Sequence, residues 1–380
     1  MDCKKSHFQL DNSVTYLNCA YMSPQLKVVE EAGTEGLKRK RNPFQISPEE
    51  FFGETDQLRE EYAKLIHAAD AKRIVVIPSV SYGMANVARN LPLSKGDNII
   101  VVGEQFPSNV YPWRSVASEK GAEIITITPP NSKDRGKEWN EKIMNAITKK
   151  TKLVALGNVH WADGTRFNLQ AIRQLTKDVG AWLAIDGTQS VGALPFDVAE
   201  IQPDALICAG YKWLMGPYSL GLAYYGPALD EGSPIEENWI NRFESEDFSN
   251  LVNYNDKYQP GALRYEVGEH SNFILIPMML AAIKQLNEWR PDHIQEYCKA
   301  LISEPISQLR NAGYRIEDES FRSSHLFGIR LAKHHNMDKI KVALDDKNIL
   351  VSFRGDSIRV SPNVYNTHDE LTQLTEALLT

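Results

Sequence analysis

The chain has 380 residues, 42% of them hydrophobic, enough to bury a large core and to divide into one large and one smaller domain. A formal net charge of −7 argues against nucleic acid, which selects basic surfaces. The one dense basic run, 37–41, has no interleaved aromatics and reads as a solvated helix end. The cysteines Cys3, Cys19, Cys208 and Cys298 are scattered without a CxxC pair, which fits reduced thiols in a cytoplasmic protein and gives no reason to expect a metal site. The first residues lack an apolar signal segment. The longest apolar stretch, 273–283, is too short for a bilayer and contains Pro277, so no membrane contact is expected.

Strand-like and helix-like runs alternate along the chain. A strand over 73–77 precedes a helix over 82–90, and a strand over 98–102 precedes a helix over 113–120. Residues 123–128 read as a strand, 138–148 as an amphipathic helix, 153–157 as a strand and 169–179 as a helix. Two further strands, 182–186 and the run from Ala205 to Gly210, follow. Such alternation implies a mostly parallel α/β sheet with helices on both faces. No fixed-period repeat appears. An apolar helix over 276–289 stops at Arg290-Pro291, and a second helix over 293–311 with short strands follows, so a smaller α+β domain is expected over 289–380.

Two strand ends carry the chemistry. The segment Gly210-Tyr-Lys212-Trp-Leu-Met-Gly216-Pro217 brackets a lysine with aromatics directly after a buried-looking strand, which desolvates the ammonium and lowers its pKa. Taken alone, a lysine snorkelling at a strand end would give the same pattern. The segment Trp182-Leu-Ala-Ile-Asp186-Gly-Thr-Gln189 ends another strand in a carboxylate. In an open α/β sheet both side chains fall at the edge where ligands bind. Pyridoxal 5'-phosphate needs that pair: a lysine for the imine and an aspartate that keeps the pyridine nitrogen protonated.

With these segments in this order and spacing, the chain resembles the class V aminotransferases, fold type I pyridoxal-phosphate enzymes that include cysteine desulfurases, kynureninase and isopenicillin N epimerase. The likeness runs from Tyr16-Leu-Asn-Cys-Ala20 to Arg359-Val-Ser-Pro-Asn-Val-Tyr-Asn-Thr367. It implies a large cofactor domain over 16–288, with residues 1–15 packing beside the small domain. It also implies a homodimer with shared active sites, because the segment Val267-Gly-Glu-His-Ser271 matches a loop that family members lend to the neighbouring subunit's phosphate.

The remaining positions follow from the cofactor and the resemblance. Ser79, Val80 and Ser81 open a helix whose free N–H groups and positive dipole end suit a phosphate, although an N-cap serine favours any helix start. Phe106 stands where cysteine desulfurases place a ring-stacking histidine; it keeps the stacking face without an ionisable nitrogen. The resemblance has Gln189 donate to the cofactor's phenolic oxygen; Tyr211 replaces the histidine that often precedes the lysine in relatives, and its hydroxyl is expected to reach the phosphate. Trp161 replaces an asparagine of many relatives; two roles stay open, an indole N–H donor to the cofactor or a wall of the substrate pocket. His160 beside it reads equally as a structural histidine or a proton shuttle at the substrate. Arg359 is the guanidinium implied for the substrate's α-carboxylate, with Arg354 as a second candidate.

These assignments point to an enzyme acting on a small amino acid through an imine with the cofactor, Lys212 being the catalytic amine. Transamination, epimerisation and lysis stay open. The alternative is a β-lyase like cysteine desulfurase or selenocysteine lyase but without their sulfur-accepting loop cysteine: only Gly355-Asp-Ser-Ile358 separates the two arginines, and no cysteine follows Cys298. Cys19, near the substrate entrance by resemblance, is the one stand-in. A non-catalytic cofactor-binding protein is the reading from another class. A nucleotide-dependent enzyme is disfavoured, since no strand end carries GxGxxG or a Walker loop.

Overall fold

The computed structural model describes residues 1–332 and 335–379. Its elements in chain order begin with β1 (Thr15–Tyr16), α1 (Lys27–Arg39), α2 (Gly53–Leu65), β2 (Ile74–Ile77), α3 (Val80–Asn90), β3 (Asn98–Val102), α4 (Tyr111–Lys120) and β4 (Glu123–Ile127). Next come α5 (Arg135–Ala146), β5 (Thr151–Gly157), α6 (Leu169–Val179), β6 (Trp182–Asp186), α7 (Val198–Ile201), β7 (Ala205–Ala209) and β8 (Gly221–Tyr225). The chain closes with α8 (Leu275–Trp289), α9 (Pro291–Asn311), β9 (Phe327–Arg330), α10 (Met337–Asp346), β10 (Ile349–Leu350), β11 (Ser352–Arg354), β12 (Ser357–Val360) and α11 (His368–Leu378).

Among the described residues the main sheet has seven strands in the order β2-β8-β7-β6-β5-β3-β4. The pairs from β4 across to β7 are parallel, as the alternating runs imply. Of these strands, β3 and β7 are buried along their whole length, which is why they read as unbroken apolar runs with no polar alternation, whereas the edge strand β4 is partly exposed. One strand departs from the expectation: β8 runs antiparallel between β2 and β7. It returns the chain after the Lys212 turn, where Gly210 N–H donates to the Leu220 carbonyl and Gly216 N–H to the Gly210 carbonyl. A Cβ on Gly210 would stand 2.5 Å from the Leu220 carbonyl oxygen, a backbone atom that cannot swing aside, so this turn needs glycine there.

Helices start and stop by local chemistry. Asn168 caps α6 by accepting from Ala171 N–H, and Gly180 ends it at φ 71°. α3 packs so closely that a Cβ on Gly83 would meet Ile207 of β7 at 2.8 Å, which holds the start of α3 against the sheet. Two helices given no range in the sequence, α1, whose end carries the basic run 37–41, and α2, both lie against α8.

Beyond α8, β11, β12 and β9 form a second sheet whose apolar face packs with α9, α10 and α11. Residues near the N-terminus join this part: Leu17 lies in its core, β1 pairs with β10, and Lys4 N–H donates to the Val364 carbonyl. Among the described residues no helix is long and apolar enough to cross a membrane.

Candidate active site

The C-terminal ends of β2, β3, β5, β6 and β7 converge on a cavity of about 380 Å³. This edge of an open parallel sheet is where strands deliver side chains and helix starts deliver N–H groups. Lys212 stands here at 7% exposure, its Nζ 5.4 Å from the Phe106 ring centre and 5.5 Å from that of Tyr211. Burial lowers its ammonium to about 8; Asp186 opposes the drop, and Arg359 and Arg354 add to it. Asp186, at the end of β6, is 8% exposed and accepts from Thr188 N–H at 3.0 Å. Burial raises its carboxyl, with Thr188 and Lys212 pulling the other way.

Ser79, Val80 and Ser81 line the opposite wall at the start of α3. Ser79 Oγ accepts from Tyr82 N–H at 3.2 Å and lies 2.9 Å from Ser81 Oγ, so the serine is an N-cap and its hydroxyl also edges the cavity. Phe106 and Trp161 meet edge to face at 5.5 Å, and Tyr211 tilts against Tyr218 at 4.5 Å. Tyr218, Thr188 and Ser219 also line the cavity although the sequence reading assigned them no role. Thr188 carries a usable signal, standing two positions after the strand-end aspartate; Tyr218 and Ser219 belong to the turn into the unread β8.

The structure gives several of these residues partners that the sequence did not show. Trp161 donates its indole N–H to the Glu104 carbonyl at 2.6 Å, so its N–H is engaged and its ring is what lines the cavity. Gln189 lines the cavity too, but its Oε1 accepts from Trp213 Nε1 at 2.8 Å and its Nε2 donates to the Ala20 carbonyl at 3.1 Å. One amide proton is left for a ligand. His160 does not reach the cavity wall: it is 1% exposed, with Nδ1 3.1 Å from Asp163 Oδ1 and Nε2 3.1 Å from the Glu104 carbonyl. Its packing against Trp139 and Phe167 completes a structural role. Ser271 donates to the Phe51 carbonyl, away from the cavity of its own chain. Cys19 is fully buried rather than at an entrance; burial pushes its thiol up to about 11, and Asn363 Nδ2 donates to its Sγ at 3.3 Å.

Arg359, on β12, is 1% exposed. It donates to the Trp161 carbonyl at 2.8 Å, to Ser352 Oγ at 3.2 Å and to Asn18 Oδ1 at 3.4 Å, and its Nε has no partner. Among the described residues no carboxylate pairs with it. Burial and the neighbouring Arg354 lower it to about 10. Arg354 lies 5.3 Å from the Trp161 ring centre and donates to its own neighbour, the Phe353 carbonyl.

These groups fit pyridoxal phosphate: a helix start for an anion, a buried carboxylate in want of a cation, flat aromatic walls and a partly neutral amine. A doubly wound sheet carrying that set at its strand ends defines a pyridoxal-phosphate-dependent enzyme. The chain belongs to the class V aminotransferase family, whose profile, described as Aminotransferase class-V, matches residues 45–374. It is 25% identical over 318 residues to an uncharacterized aminotransferase of Bacillus subtilis, covering 83% of this chain and 81% of the relative. With a cysteine desulfurase of Escherichia coli it shares 27% over 348 residues, covering 85% and 81%. In fold it matches a cysteine desulfurase from Thermococcus onnurineus (TM-score 0.83, 20% identity, 99% of this chain and 97% of the other). A cystine C–S lyase solved with its product cysteine persulfide matches equally well (TM-score 0.83, 19% identity, 97% and 98%).

Proposed function

We propose that the enzyme transforms a small amino acid at its Cα, with Lys212 as the amine that holds the cofactor and Arg359 as the grip on the substrate's α-carboxylate. The observation that carries this reading is Arg359 itself, a guanidinium 1% exposed that has no carboxylate partner among the described residues, unlike the buried Arg59 and Arg135, which pair with Glu266 and Asp163.

Bound pyridoxal phosphate supplies an aldehyde that captures amines and a ring that accepts the electron pair released at Cα. The chain's residues do the rest. Lys212, its ammonium lowered by burial, offers a neutral amine near pH 8 and, once displaced by substrate, moves the proton at Cα. Asp186 holds the proton on the pyridine nitrogen, and the α3 start with Ser79, Val80 and Ser81 holds the phosphate. Phe106 would offer its face to the ring, Trp161 would wall the substrate pocket, and Gln189 would offer its remaining amide proton to the phenolic oxygen, all three lining the cavity. Tyr211 serves the phosphate side. Ser271 acts on a neighbouring copy in a homodimer, which accounts for its distance from the cavity of its own chain. Free thiols throughout suit a cytoplasmic enzyme.

The alternative within the family is lysis of a substrate with a good β-leaving group, without a protein thiol as sulfur acceptor. What favours thiol independence is the two-residue turn Gly355-Asp356 between β11 and β12, together with burial of Cys19, Cys208 and Cys298. Titration of the holoenzyme with a panel of L-amino acids and matching amines, followed by visible absorption, tests the main reading. Amino acids are expected to change the spectrum at concentrations far below those needed for amines lacking the carboxylate. Equal responses would sink the assignment of Arg359.

A further inference from the structure

One buried charge lies behind the cavity wall and is not used in the chemistry above. Asp163 is 3% exposed, yet four donors converge on it. Its Oδ2 accepts from Arg135 Nε at 2.9 Å and from Arg330 Nη2 at 2.5 Å, while Oδ1 accepts from Thr165 N–H at 3.0 Å and lies 3.1 Å from His160 Nδ1. Burial alone would raise this carboxyl; His160, Arg330 and Arg135 instead hold it well below the usual range.

The four groups come from separate parts of the chain. Arg135 starts α5, His160 and Thr165 sit in the loop after β5, and Arg330 ends β9. The register of the small sheet sets Gly328 of β9 opposite Arg359 of β12, with Arg330 opposite Ser357. The loop after β5 is pressed onto β9: a Cβ on Gly328 would meet the Asp163 carbonyl at 3.0 Å, and one on Gly164 would meet the Leu326 carbonyl at 2.5 Å. That same loop presents the Trp161 ring to the cavity and the Trp161 carbonyl to Arg359. His160 and Trp161 both reach the Glu104 carbonyl, so the ring of Trp161 is fixed from the same centre.

We propose that Asp163 is a positioning residue: by clamping the loop after β5 to Arg330, it holds the Trp161 carbonyl where it aims the Arg359 guanidinium at the substrate carboxylate. The inference rests on Arg359 being that grip. An arginine binds a carboxylate well only when its fork faces it, and three neutral acceptors around Arg359 do not fix that direction unless they are themselves fixed.

The test is equilibrium titration of holoenzyme variants with L-alanine and with ethylamine, which lacks the carboxylate, read by visible absorption, with a thermal melt of each variant. Asp163→Asn is expected to weaken L-alanine roughly 10- to 100-fold and leave ethylamine unchanged, the scale seen when a supporting shell is lost or a binding group is misplaced. Arg330→Gln leaves Asp163 paired with Arg135 and His160, so it serves where Asp163→Asn fails to fold; a smaller loss with the same selectivity is expected. Arg330→Lys, which keeps a cation for Asp163, should recover most of the affinity. A loss shared equally by both ligands would mark Asp163 as merely structural and overturn the proposal. So would unchanged L-alanine affinity in both variants while Arg359→Lys shows a selective loss. Unchanged L-alanine affinity in Arg359→Lys would remove the reading of Arg359, and this proposal with it.

Discussion

Arg59 and Arg359 are both buried, at 5% and 1% exposure, but their surroundings differ. Arg59 lies between Asp56, at 2.5 Å, and Glu266, whose other oxygen accepts from Val76 N–H at the foot of β2. Burial by itself would lower Arg59, but Glu266 and Asp56 raise it, whereas Arg359, with only neutral acceptors and Arg354 beside it, is lowered to about 10. Equal burial with opposite charge balance separates two kinds of arginine. The charge of one is balanced within the fold; the other retains capacity for an anion from outside. Lys212 belongs with Arg359, buried with no ion pair among the described residues and lowered to about 8.

Substitutions can break this contrast. The largest effect is expected from Lys212→Ala, which removes the amine and should reduce turnover of any responsive amino acid to background while the fold survives. Turnover close to that of the unaltered enzyme would move Lys212 into the structural class. Arg59→Met leaves the buried Glu266 with only His270 and the Val76 N–H and should cost about 3 kcal/mol or more in a denaturation curve, the scale for breaking a buried pair. Arg359→Met leaves no carboxylate unpaired but takes a donor from the Trp161 carbonyl, Ser352 Oγ and Asn18 Oδ1, and should cost about 1–2 kcal/mol; a penalty equal to that of Arg59→Met would erase the comparison. Arg359→Lys keeps the charge but loses the fork. It should weaken amino-acid binding by roughly 2–5 kcal/mol, or about 30- to several-thousand-fold. Arg354→Lys should do less, about 1 kcal/mol, since its guanidinium lies over the Trp161 ring and donates only to the Phe353 carbonyl.

The pH dependence sharpens the same point. Lys212 titrates near 8 in the fold and near its ordinary 10.5 when unfolded, so the folded state binds fewer protons between these values. Stability therefore rises with pH across that window, and the penalty of burying the ammonium is fully present below about 8. The rate at which apoenzyme captures pyridoxal phosphate should climb with pH and level off above about 8. A climb continuing toward 10.5 would show an exposed, ordinary lysine.

The strand ends were legible because a strand fixes where its last residue points: Asp186 and Lys212 follow apolar runs, and burial of those runs carries both to one edge. The helix start at Ser79 was legible for a similar local reason. What escaped depends on partners distant in sequence. β8 is a five-residue run that pairs antiparallel with both neighbours, and nothing in Gly221–Tyr225 itself distinguishes it from a parallel strand. The amide of Gln189 turns toward Trp213 and Ala20, and His160 Nε2 toward the Glu104 carbonyl, because those partners are supplied by other loops. Cys19 follows the same rule, drawn inward by the Asn363 side chain and the Ser361 carbonyl.

The most direct measurement is borohydride reduction of the holoenzyme followed by proteolysis and mass mapping of the fixed pyridoxyl group. The account predicts that the label lies on the peptide containing Lys212 and disappears in Lys212→Ala. A label on any other lysine, or none on a protein that holds the cofactor, would contradict it.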